Sequence, residues 1–284
     1  MDPRTRPYRS VLYIPGSKPR ALDKARNLPV DAVIFDLEDA VSVEEKENAR
    51  DTLAAALAEG GYGARVRIVR INGLDTQWGR ADAEAAAKMD CDAILLPKVS
   101  SSADLDALAE ITGDKPLWAM METPRGMLNA AEIAAHPKLQ GMVMGTNDLA
   151  KELQTRFRAD RLPMMAGLGL CLLAAKAEGK IIVDGVYNAF KDDEGLKVEC
   201  DQGRDMGFDG KTLIHPAQVD VTNTAFAPSE AEIDLARRQL AAFEEVEASG
   251  QGVAVVDGKI VENLHVATAR EILANADAIA AISA

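Results

Sequence analysis

The stretch "LWAMMETPRGM" occupies residues 117–127. An apolar run enters a single acid, Glu122, and is stopped by Thr123, Pro124 and Gly126. Its length and its Pro/Gly boundary read as a buried β-strand followed by a turn. A buried strand that ends on a charge needs a partner for that charge. An ion pair with Arg125 or Arg70 would be the plain structural answer.

Seven other runs share this grammar. They are "SVLYIPG" (10–16), "AVIFDLED" (32–39), "VRIVRING" (66–73), "DAILLPKV" (92–99), "GMVMGTND" (141–148), "KIIVDGVY" (180–187) and "GKTLIHP" (210–216). Most are continuous rather than alternating, as parallel strands covered on both faces are. Helical patterns lie between them. In 44–60, Ala49, Leu53, Ala56 and Leu57 make one face and Gly60 a stop. In 103–113, Ser102 is the candidate cap, and 164–179 reads as a more buried helix. Eight strands alternating with helices predict an α/β fold, a (β/α)8 TIM barrel. An open doubly wound sheet is the rival, weakened because no GxGxxG follows the first strand.

The barrel is expected over residues 1–227, and 228–284 as a C-terminal extension. Within it, 228–250 reads as a helix capped by Ser229, and 251–265 as a hairpin turning at Asp257-Gly258. A last helix is expected over 266–282.

The composition narrows the function. With 32 Lys and Arg against 45 Asp and Glu, the net charge is −13. That disfavours binding to nucleic acid or to an anionic membrane. No apolar run is long enough for a membrane span, and "MDPRTRPYRS" has no signal-peptide character. Cys91, Cys171 and Cys200 are widely spaced and fit a reducing cytoplasm. His136, His215 and His265 show no metal-ligand spacing. Residues 1–26 form a basic segment, with Arg4, Arg6, Arg9, Lys18, Arg20, Lys24 and Arg26 against Asp2 and Asp23. It reads as a solvated helix face or as a contact for a polyanionic small molecule.

Barrel enzymes place their chemistry at the C-terminal ends of the strands. Those ends carry Lys18, Asp36, Glu38, Asp39, Arg70, Asn72, Lys98, Glu122, Asn147, Asp148, Asp184 and His215. So much polarity at one end points to an enzyme. Glu122 and Asp148 close adjacent strands and would repel unless a cation sits between them. An all-oxygen donor set favours Mg²⁺, with Mn²⁺ as an alternative ion. Asp148 also reads as an N-cap for a helix beginning at Leu149. Arg70 suits a carboxylate held by two parallel hydrogen bonds, or a structural pairing with Asp36 or Glu38. Those two acids read equally as partners of metal-bound water or as helix-start acids. The turn Pro15-Gly16-Ser17, with Lys18 and Lys24 near it, reads weakly as a phosphate contact.

Taken together, "RSVLYIPGS", "FDLEDAV", "VRING", "LLPKV", "METPRGM", "MGTNDLAKEL" and "GKTLIHPAQV" resemble the citrate lyase β-subunit-like family of the HpcH/HpaI aldolase superfamily. The resemblance spans roughly residues 8–270. It implies a TIM barrel in a homotrimer or homohexamer, with Mg²⁺ on Glu122 and Asp148. It implies an acyl-CoA substrate touched by Tyr13, Lys18 and Lys24, and Arg70 on its acyl end. Asn147, Ile214 and His215 would line the substrate site, and His136 and His265 match no family role.

One position departs from the family pattern. Members that make or break a carbon–carbon bond are expected to use an Asp of the C-terminal hairpin, reaching a neighbouring subunit. Here that position is Glu262, in "GKIVENLH". A base one methylene longer is displaced from the α-carbon and suits activation of water. The implied reaction is Mg²⁺-dependent hydrolysis of (3S)-malyl-CoA to (S)-malate and CoA. The alternatives are retro-Claisen cleavage of malyl-, β-methylmalyl- or citramalyl-CoA to acetyl- or propionyl-CoA plus glyoxylate or pyruvate, and a non-catalytic CoA-binding complex subunit.

Overall fold

A computed structural model describes residues 6–250 and 252–283. Asp2, Arg4 and the hairpin's expected first residue, Gln251, lie outside them.

Residues Tyr8–Phe226 form one compact unit. Its strands are β1 (Ser10–Pro15), β2 (Ala32–Asp36), β3 (Val66–Arg70), β4 (Ala93–Leu96), β5 (Leu117–Met121), β6 (Leu139–Met144), β7 (Ile181–Asp184) and β8 (Gly210–Leu213). They pair in sequence order, all parallel, and β8 closes on β1. This is the closed (β/α)8 barrel the apolar runs predict.

Two hydrophobic layers hold it. Strand side chains facing outward pack with the surrounding helices, among them Leu12, Val33, Phe35, Val69, Ile94 and Met142. Those facing inward, including Val11, Ile34, Ile68, Leu95, Trp118, Met120 and Val183, fill the barrel itself. The inward residues recur at every second position. Where Trp118 enters, β6 carries Gly141, whose Cβ would lie 2.7 Å from the indole.

The same period of two carries on into the polar strand ends. Asp36 follows Ala32 and Ile34, Arg70 follows Val66 and Ile68, and Glu122 follows Trp118 and Met120. The apolar filling of the barrel is thereby replaced by charge at its C-terminal mouth.

Some local expectations shift. The cap of the helix Ser102–Thr112 is Ser101, in a reciprocal box with Asp104. The helix Met165–Ala177 buries only one face: Leu170 is 45% and Leu173 71% exposed. The helix after β6 begins at Thr146, so Asp148 sits in its first turn and Gly145 is the N-cap.

The second unit contains the helices Glu230–Ser249 and Asn263–Ser283 around a short hairpin, β9 (Val255–Val256) and β10 (Lys259–Ile260). Asp257 and Gly258 turn it with φ of 50° and 75°, which the primed hairpin turn requires. Ala254, Val261 and Val266 pack with Leu240, Phe243 and Val246 as its core. The last helix starts at Asn263 because the ring of His265 caps it, its Nδ1 accepting from the Glu262 amide at 2.9 Å.

Candidate active site

A cavity of about 310 Å³ opens at the C-terminal mouth of the barrel. Tyr13, Asp36, Arg70, Glu122, Asn147, Asp148 and Ile214 are in its wall, together with Met120, Met144 and Val186. It lies at the small end of ligand pockets, which run to roughly 300–1,000 Å³.

Glu122 is held by local sequence. Thr123 caps the helix Pro124–Leu128 through Oγ1, which accepts from the Gly126 amide, and Pro124 needs no donor there. The strand therefore ends at Met121, and Glu122, next in the inward alternation, faces the cavity. Only 1% of it is exposed. Its Oε1 accepts the Lys98 amide at 2.8 Å. Gly145 makes room for it, since a Cβ there would lie 2.3 Å from Glu122 Cβ. Burial pushes the Glu122 carboxyl up to about 7, helped by Glu38 and Asp148 and opposed by the Lys98 amide and Arg70. Neither Arg125 nor Arg70 pairs with it directly; a backbone amide does.

Arg70 is nearly buried and does three things at once. Its Nε and Nη2 grip the Asp36 carboxylate side-on, at 2.7 and 2.6 Å. Its Nη1 lies 2.8 Å from Glu38 Oε2, an ion pair without hydrogen-bond alignment. Its guanidinium carbon lies 4.9 Å from the Tyr13 ring centroid. The two-bond grip on a carboxylate is thus taken by Asp36. Asp36 in turn accepts from the amides of Glu38 and Ala40, both at 2.9 Å, which fixes the turn after β2. Burial pushes the Glu38 carboxyl above the usual range, opposed by Arg70 and Lys98. Burial likewise raises the Tyr13 phenol, which keeps its proton and points it at Met120 Sδ, 3.5 Å away and a weak acceptor.

The other expected residues, Asn147 of the wall apart, fall elsewhere. Lys18 pairs with Glu45 at 3.0 Å outside the cavity wall. Lys24 is exposed near the end of the helix Pro19–Ala25. Pro19 at the start of that helix removes one of the amides a phosphate would use. His215 is a cap: its Nδ1 accepts from Ala217 and its ring stacks on Phe190, with centroids 4.6 Å apart. Asn147 exchanges amide hydrogen bonds with Asn188. Asp184 is turned away into a buried cluster with Arg161, Lys211 and Glu199. Glu262 belongs to the second unit, where it is exposed and, among the described residues, forms no ion pair.

Three features escape the sequence: Gly145, the role of Lys98, and the choice of Asp36 over Glu38 for the two-bond grip of Arg70. The glycine between "MVM" and "TND" is a signal of close approach; the other two depend on contacts far along the chain.

Among the described residues no three His, Cys, Asp or Glu side chains cluster as a metal cage. Four carboxylates line the cavity; Asp36 and Asp39 face Arg70, at 2.6 and 3.5 Å, which leaves two, Glu122 and Asp148, as the candidate donors for an ion. That is the habit of Mg²⁺, which takes one or two carboxylates and fills its shell with water and substrate. A buried acid whose charge is disfavoured fits an ion that restores it.

The profile of the HpcH/HpaI aldolase/citrate lyase family matches residues 9–216. The chain is 69% identical over 284 residues, all of both chains, to a (3S)-malyl-CoA thioesterase of Cereibacter sphaeroides. It is 34% identical to the citrate lyase β subunit of Escherichia coli K12, covering 96% of this chain and 95% of that one. The crystal structure of CitE from Mycobacterium tuberculosis with magnesium, acetoacetate and coenzyme A superposes with a TM-score of 0.78 at 33% identity, covering 94% and 97% of the two chains. The closed parallel barrel, the acids at its mouth and these matches agree: the chain belongs to the HpcH/HpaI aldolase/citrate lyase family.

Proposed function

We propose that this protein is a Mg²⁺-dependent thioesterase that hydrolyses (3S)-malyl-CoA to (S)-malate and CoA. The observation that carries the chemistry is one cavity lined by buried Glu122 and Arg70 and half-buried Asp148. The substrate comes from the 69% identity to a (3S)-malyl-CoA thioesterase over the whole chain.

Glu122 and Asp148 would hold the ion. When bound, Mg²⁺ supplies positive charge that neutralises the two acids and polarises an oxygen of the acyl group. Arg70, braced by Asp36 and Glu38, orients the malyl group with its free N–H groups. Asn147 and Ile214 complete the wall, while Tyr13, Lys18, Lys24 and His215 contact the rest of the acyl-CoA. Glu262, supplied by a neighbouring copy in a homotrimer or homohexamer, is the general base. It takes a proton from water, whose oxygen bonds to the thioester carbon. The C–S bond then breaks, and the leaving sulfur takes that proton as the CoA thiol. The exposed Glu262 carboxylate, beside exposed Val255, Ile260 and Leu264, supports a role at a subunit contact. We assign the activity to a reducing cytoplasm, which suits three buried free thiols.

The citrate lyase β subunits, matched over almost the whole chain, favour a second reading. In it the same site performs retro-Claisen cleavage to acetyl-CoA and glyoxylate. Purified protein with Mg²⁺ and (3S)-malyl-CoA, assayed for free thiol and glyoxylate in one tube, separates the two. Thiol without glyoxylate is expected; glyoxylate with acetyl-CoA and no thiol would overturn hydrolysis. Glu262→Ala that keeps full activity would remove that residue from the mechanism.

A further inference from the structure

The Pro97-Lys98 turn after β4 does something no reading of the sequence assigned. Lys98 has φ of +54°, left-handed backbone that a lysine adopts at a cost and glycine does not. The conformation aims its amide into the barrel mouth, where it donates to Glu122 Oε1 at 2.8 Å. Its side chain folds over the same mouth, and Nζ donates to Glu38 Oε1 at 2.9 Å. The other oxygen of Glu38 lies 2.8 Å from Arg70 Nη1. One residue therefore contacts the acid that would hold the ion and the acid that braces the guanidinium. Strain of this kind persists where the surroundings fix it, and here they are the site itself.

We propose that Lys98 is a positioning residue for the acyl site: its amide fixes Glu122, and its ammonium fixes Glu38 and through it Arg70. This rests on the metal and substrate reading above. Glu38 between two cations stays put and holds Arg70 facing the cavity. Without the ammonium, Arg70 alone answers Asp36 and Glu38, and its hold on a ligand carboxylate weakens.

The two halves are tested separately. The amide is tested by Mn²⁺ affinity of the substrate-free protein, read from the free Mn²⁺ EPR signal. Lys98→Ile disfavours the left-handed backbone, and binding is expected to weaken about tenfold. Lys98→Gly keeps that backbone, and binding should stay within about twofold of wild type. If Lys98→Ile does not fold, Lys98→Thr, also β-branched, replaces it. The ammonium is tested by Lys98→Met, which keeps the stem and the amide. KM for (3S)-malyl-CoA should rise about tenfold, with kcat changed far less and Lys98→Arg restoring most of the loss. Equal Mn²⁺ affinities in the Ile and Gly variants, or an unchanged KM in Lys98→Met, overturns the proposal. Wild-type protein that binds Mn²⁺ but leaves malyl-CoA intact would overturn the functional reading alone, and the Mn²⁺ comparison would still decide Lys98.

Discussion

The two ends of the barrel treat their acids differently. At the N-terminal end, Asp31, Asp92 and Asp209 each stand just before a strand, and each is answered twice. Asp31 accepts from the amide of Arg9 and pairs with its guanidinium. Asp92 does the same with Arg67. Asp209 takes the amide of Ile182 and the ammonium of Lys176. At the C-terminal end, Asp36, Glu38 and Asp39 share two cations, Arg70 and Lys98, while Glu122 takes only a backbone amide and, among the described residues, neither it nor Asp148 forms an ion pair. Matched charges tie neighbouring strands together. Unmatched charges suit the proposed reading, in which something positive from outside completes the site. Stability thus resides at one end and chemistry at the other, as the barrel architecture favours.

Four perturbations break or sharpen this contrast. The largest is Glu122→Gln. Loss of partners behind a metal ligand already costs about 10–100-fold, so loss of the ligand itself should cost about a thousandfold in kcat/KM. Thermal unfolding of the variant should match or exceed wild type, because the change removes a charge that burial disfavours. A less stable protein would mean that Glu122 serves the fold.

Asp31→Ala attacks the other end. It leaves Arg9 nearly buried without its counter-ion and should cost about 3–5 kcal/mol in denaturant unfolding. Activity per folded molecule should hold within about twofold. A large kinetic defect would erase the division of labour.

The pH dependence of the metal-free protein comes next. Burial lifts the Glu122 carboxyl from 4.5 to about 7. Between those values the folded chain binds more protons than the unfolded one, so stability falls as pH rises. The loss should approach 3 kcal/mol, roughly, and vanish in Glu122→Gln. Urea unfolding of both chains at pH 5 and pH 8 measures it, and equal slopes would contradict it.

Gly145→Ala is the mildest change. Its Cβ would press on Glu122 Cβ from 2.3 Å and shift the acid. Mg²⁺ affinity by calorimetry should weaken about tenfold, and Tm should fall as well, since overpacking a buried site costs about 1–3 kcal/mol. Unchanged affinity would show that the cradle has slack.

The eight strands were legible because most are continuous apolar runs and all are bounded by turns. The polar strand ends were legible because the inward alternation carries Asp36, Arg70 and Glu122 to one mouth. Partner choice was not. The sequence narrows the structural partner of Arg70 to Asp36 or Glu38 without choosing between them; that choice, and the pairings of Lys18 with Glu45 and of Asp184 with Lys211, depend on residues about 27–34 positions apart along the chain. Nor does a sequence show that Lys98 takes a left-handed turn, since lysine carries no preference for one. The overly buried reading of Met165–Ala177 came from mean apolarity, which conceals Leu170 and Leu173 on an outward face.

The central claim is that the unmatched acids at the barrel mouth work through a metal. It is tested by titrating Mg²⁺ into EDTA-treated protein with (3S)-malyl-CoA while following free thiol. The account predicts no thiol before the ion is added, a saturable rise with Mg²⁺, and a flat line for Glu122→Gln. Full thiol release in EDTA would contradict it.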